Sequence, residues 1–99
     1  MNPATWLNEQ ARFVRDALAA GNLGEARNDL RYIFEDWDAP EGIRPAMVIR
    51  LALFSMSRRD LKAARKAFVR GAEHFFADGD DLDAEIRADL HAALFQDRR

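Results

Sequence analysis

The sequence predicts an all-α fold of five antiparallel helices, two stacked helical hairpins followed by a capping helix. Three observations carry that expectation. Apolar residues recur every three or four positions and never alternate in the manner of a strand. Breaks built from glycine, proline, aspartate and asparagine divide the pattern into five runs. The turn of the first hairpin is echoed in the second at a spacing of about forty residues. With 99 residues there is enough chain for one core, so the hairpins (3–37 and 44–78) and the cap (81–96) form a single domain.

Helix one starts at Pro3, with Asn2 placed to cap its free amides. Trp6, Ala11, Phe13, Val14, Ala17 and Leu18 follow at helical spacing, and Gly21-Asn22 stops the run. Helix two carries Leu23, Ala26, Leu30, Ile33 and Trp37 on one side, and Glu25, Arg27, Asn28, Asp29 and Arg31 on the other. The stretch Asp38 to Gly42 is the clearest loop. Pro45 opens helix three, where Met47, Val48, Ile49, Leu51, Ala52, Leu53, Phe54 and Met56 cover nearly the whole circumference, which requires enclosure on several sides. Asp60 is the expected cap of helix four, whose apolar side holds Leu61, Ala64, Phe68, Ala72, Phe75 and Phe76 before Gly79 closes it. Asp80 or Asp81 caps helix five, with Leu82, Ile86, Leu90, Ala93 and Leu94 on its stripe and Arg98-Arg99 near its negative end.

Composition narrows the function. The chain is 48% hydrophobic and 32% charged, which marks an ordered globular protein. It has no cysteine, which removes disulfides, thiolate metal sites and a cysteine nucleophile. Met1 to Trp6 shows no secretory signal, and the apolar stretch Ala46 to Met56 is too short to span a bilayer and contains Arg50, so a cytoplasmic protein without a membrane partner is expected. The preference for arginine over lysine, together with abundant alanine, suggests a GC-rich bacterial genome. A formal net charge of −2 argues against a general affinity for nucleic acid.

Overlaying Gly21 to Arg27 on Arg59 to Arg65 aligns Leu23 with Leu61, Ala26 with Ala64 and Leu30 with Phe68. The shared alanine lets paired helices approach closely. Gly21-Asn22-Leu23 with Ala26, and Asp60-Leu61 with Ala64, resemble the turn and second helix of the tetratricopeptide repeat. Val14 and Ala52 stand where that family places a small residue in its first helix, Pro40 stands late in the place of its closing proline, and the loop Asp38 to Gly42 accounts for the longer period. Helix five then corresponds to the terminal cap that such arrays need.

The resemblance implies a non-catalytic adaptor or chaperone-like module that binds another protein or peptide in a groove lined by the first helix of each hairpin. On that analogy the partner-binding residues are Ile49, Leu53 and Met56, with Arg15 and Leu18 nearby. Methionine suits a surface that adapts to its partner. The alternative is that helix five or the first residues fold over this strip and make it core. Lys62, Arg65, Lys66 and Arg70 fall on adjoining positions of helix four and form a secondary basic patch. It is either a solvated face balancing Glu35, Asp36, Asp38 and Glu41 or a contact for an acidic partner, and it keeps a small nucleic-acid-binding regulator as a rival class. A subunit that self-associates through helix three, as a homodimer for instance, is another.

Catalysis and metal binding have little to build on. His74 and His91 lack the close spacing of paired ligands, and Ser55 and Ser57 sit in no glycine-rich elbow. The run Asp78 to Asp83 places its glycine too early for a calcium loop, so its acids are expected to cap helix five. No enzyme activity, metal or cofactor is expected.

Overall fold

The computed structural model describes residues 2–36 and 39–96, and among them the chain forms five α-helices and no strand. They are α1 (Pro3–Ala19), α2 (Leu23–Arg31), α3 (Pro45–Phe54), α4 (Arg58–Phe75) and α5 (Asp81–His91). α2 and α5 each run on into a wider π-helical turn, Tyr32–Asp36 and Ala92–Gln96. Trp37, Asp38, Arg98 and Arg99 lie outside the described residues. Among those described, no helix is long and apolar enough to cross a membrane.

Local chemistry accounts for most helix ends. The Asn2 side chain accepts a hydrogen bond from the Thr5 amide at 2.8 Å, with Pro3 in the first turn. Gly21 adopts φ +73°, and the Gly21 and Asn22 amides donate to the carbonyls of Leu18 and Ala17, so the exposed end of α1 is satisfied as the chain reverses. Asn22 then caps α2 by accepting from the Glu25 amide at 3.0 Å. α4 departs from expectation at both ends. Ser57, not Asp60, is its cap, accepting from the Asp60 amide at 3.1 Å, because the helix begins earlier, at Arg58, and leaves Asp60 inside the first turn, where its charge suits the positive helix end. Its last residue is Phe75, and Gly79 (φ +80°) belongs to the turn beyond. Asp80 is the cap of α5.

α1 is the central element, packing against α2, α3 and α4. α2 also packs on α4 and α5, while α3 packs chiefly on α1 and α5. α1 and α2 pack on each other as the expected first hairpin, whereas α3 and α4 each pack on α1 more than on one another, so the expected second hairpin is not closed in the same way. Ala26 and Ala64 are both fully buried, as close approach of helices requires. Gly24 and Gly71 complete the α2–α4 contact: a methyl group at either would meet the ring of Phe75 at 2.9 or 3.0 Å. The core is continuous, running from Ala11, Val14 and Leu18 through Leu23, Leu30, Val48 and Ile49 to Phe68, Ile86, Leu90 and Leu94.

Candidate functional site

The apolar circumference of α3 divides between core and surface, with a register that differs from the expected strip. Val48, Ile49, Ala52 and Met56 are buried, as is Leu18 of α1, and Leu53 is half-buried against the same core. Leu18, Ile49 and Met56 thus do not form an open strip, and Leu53 contributes only an edge. The reason is tertiary. α5 packs across α3 and brings Ile86, Leu90 and Leu94 into the shared core, so the side expected to stay open is closed.

The side of α3 that does reach the surface carries Met47 (41% exposed), Arg50, the half-buried Leu51 and Phe54 (88% exposed). These positions recur at three, four and seven and so share one helical stripe. Where this stripe meets α1 there is a groove of about 350 Å³, lined by Arg12, Arg15, Leu51, Ala52, Phe54 and Ser55 among others. Arg15 is held in place there, donating to the Asp16 carboxylate at 3.1 Å and to the Ser55 hydroxyl at 3.4 Å. Of the five residues expected to bind a partner, Arg15 alone lines this groove.

The basic patch on α4 is also divided. Arg65 turns toward the C-terminal end of the chain, where its Nε donates to the Leu94 carbonyl at 2.7 Å and satisfies a group that the helix end leaves open. Lys66 and Arg70 instead line a groove of about 620 Å³ between α4 and the α1–α2 turn, with Leu23, Ala67, Gly71 and Phe75 beneath them. Lys62 is exposed one turn away. Among the described residues, no acid forms an ion pair with Lys62, Lys66 or Arg70. Glu35, one of the acids expected to balance them, is bound by Arg31 at 2.6 Å.

An ion network between α2 and α5 is the site that the sequence pattern concealed. Asp83 has no solvent exposure. Its carboxylate accepts from Arg27 at 3.1 Å, from Arg31 at 2.8 Å and from the Ala77 amide at 2.7 Å. Arg31 also reaches Asp80 at 2.8 Å, and Asp80 accepts from the Asp83 amide. Burial pushes the Asp83 carboxyl upward, but the Ala77 amide and the two guanidiniums outweigh it and hold the group below its ordinary range. Asp80 is lowered as well, first by the Asp83 amide and then by Arg31. The same network raises Arg31. Asp83 is thus an interhelical anchor in addition to standing in the first turn of α5. Arg27 and Arg31, four residues apart and followed far along the chain by the Asp80–Asp83 pair, were its only signal.

The histidines are occupied by aromatic packing. His74 meets Phe75 edge-on at 5.0 Å, and His91 lies 5.9 Å from Phe68 and 5.3 Å from Phe95 while hydrogen-bonding Gln96. No group of three or more potential metal ligands occurs among the described residues. No family model, curated protein or solved structure matches the chain.

Proposed function

We propose that this protein is a non-catalytic interaction module of tetratricopeptide-like build, adaptor or chaperone-like, that binds a segment of another protein in the groove between α1 and α3. The observation that carries this reading is Phe54. A phenylalanine 88% exposed beside Leu51, Arg12 and Arg15 combines an apolar anchor with cationic donors. Exposed apolar stripes with an aromatic and arginine are characteristic of interface centres. α1 and α3 are also the first helices of the two hairpins, the pair that lines the groove in the repeat family the sequence resembles. A bacterial cytoplasm belongs to the same proposal, the bacterial origin resting on the arginine- and alanine-rich composition.

The test is selection of peptides from a displayed library against the whole protein, followed by titration of the enriched peptides into Phe54→Glu. Binding should be lost in that variant while the thermal transition is unchanged. Peptides that bind Phe54→Glu as tightly as the parent would refute the α1–α3 groove.

A second reading places an acidic partner on α4, favoured by Lys62, Lys66 and Arg70, which form no ion pair among the described residues and stand at or beside the larger groove. Duplex DNA is one such polyanion. Binding through this face would weaken steeply with added salt and with Lys66→Glu, but not with Phe54→Glu.

A further inference from the structure

Between α1 and the α2 segment, on a surface distinct from the groove containing Phe54, lies a pocket of about 370 Å³ lined by Trp6, Gln10, Phe13, Asp29, Tyr32 and Ile33. Its composition is unusual for a surface of this protein. Three aromatic residues and one carboxylate share its lining, and two of the aromatics, Phe13 at 59% and Tyr32 at 53%, are more than half exposed. The pocket falls within the roughly 300–1,000 Å³ of small-ligand sites.

Aromatic faces carry the negative end of a quadrupole, so a cavity with three aromatic residues in its lining suits a cation whose charge is spread over an alkyl shell. Asp29 adds a full negative charge. Burial holds its carboxyl above the ordinary range, and Glu25, one helical turn earlier, adds to the shift. A bound cation would relieve both effects. The two arginines that flank Asp29 in sequence do not fill the pocket, because Arg27 and Arg31 are committed to Asp83 and Asp80 on α5. Among the described residues, no cationic side chain pairs with Asp29. An anion would face the carboxylate, and a neutral apolar ligand would leave it desolvated without compensation.

We propose that this pocket is a binding site for an organic cation of the alkylated ammonium class. The rings supply cation–π contact and Asp29 supplies the counter-charge. The same chemistry is presented by a free quaternary ammonium compound and by a methylated lysine side chain of a partner.

The experiment titrates tetramethylammonium, choline and a peptide containing trimethyl-lysine into the full chain, following amide chemical shifts and Trp6 emission. The uncharged carbon isostere of choline and potassium chloride serve as controls. Saturable shifts confined to residues around Trp6, Phe13 and Asp29 are expected with the organic cations and not with either control. Asp29→Asn should weaken binding about tenfold, as loss of a charge-assisted contact does. Phe13→Leu, at an exposed position, should weaken it by about threefold. Both variants are compared at unchanged thermal midpoint. Tighter binding of the trimethyl-lysine peptide than of choline assigns the cation to a partner chain, and the reverse assigns it to a small molecule. Equal binding of the neutral isostere, or no saturable binding by any of the three cations, overturns the proposal. Phe54→Glu should leave all of these titrations unchanged, which separates this site from the α1–α3 groove.

Discussion

Asp83 holds α2, α5 and the chain between α4 and α5 together through one carboxylate, so its loss should exceed that of any exposed charge. Asp83→Ala leaves Arg27 and Arg31 facing a partly buried space without their acceptor, and removing one partner of a buried pair costs about 3–5 kcal/mol. Chemical denaturation should show that loss as a lower midpoint with an unchanged slope. The pH dependence has a defined sign. Asp83 and Asp80 have folded-state values below their unfolded ones, so their contribution is present above the ordinary carboxylate range and is lost as pH falls through the lowered values. Asp29 and Asp89 are raised, each first by burial and then by a neighbouring glutamate, Glu25 and Glu85 respectively. Their protonation favours the folded state as pH falls toward the ordinary range. Thermal midpoints measured across acid pH should therefore rise slightly and then drop, and Asp83→Asn should flatten the drop. At Gly21, where φ is +73° and a methyl group would meet nothing within 4 Å, alanine should cost only backbone strain, roughly 1 kcal/mol.

Among the elements, α3 gives the sharpest contrast between adjacent residues. Ile49→Asp places an unpaired charge in the core and should abolish the cooperative transition, while Phe54→Asp should change stability by no more than about 0.5 kcal/mol. Leu53→Asp should fall between them. Circular dichroism on heating the three variants checks the register, and a stable Ile49→Asp would show it to be wrong. At the fully buried alanines, Ala26→Arg and Ala64→Arg should each cost several kcal/mol, about the sum of overpacking and a buried charge, whereas Lys62→Ala should cost little. If urea titration ranked Lys62→Ala as the worst, the correspondence of the two turns would fail. The helices themselves were readable from sequence because their information is local: Asn2 with Pro3, Gly21 with Asn22 and Pro45 each mark an end within one turn. The exposed face of α3 was not readable, since a helix apolar all round states that it is enclosed without saying by which neighbours.

On the scale of the whole molecule, α5 is a structural member of the core and not an accessory. Ile86, Leu90 and Leu94 are essentially inaccessible, and burying each is worth about 1.5–3 kcal/mol relative to exposure. A chain ending at Gly79 would expose the inner side of α3 and leave Arg27 and Arg31 without Asp83. We expect that truncation to lose its cooperative thermal transition and to bind hydrophobic dye, while the full chain does neither at neutral pH. A truncated chain that kept a sharp transition would make α5 a detachable cap.

The amino-acid sequence by itself determined the helical class, the number of helices, the Asn2 cap and the burial of Ala26 and Ala64, because periodicity and capping act over one or two turns. Only the tertiary structure decided which side of α3 meets water, that Arg65 serves the Leu94 carbonyl while Lys66 and Arg70 line a groove, and that Arg27 and Arg31 face Asp83. Those outcomes depend on residues some 30 to 56 positions apart meeting in space. Neither helical periodicity nor a local charge pattern specifies the side from which a distant helix arrives.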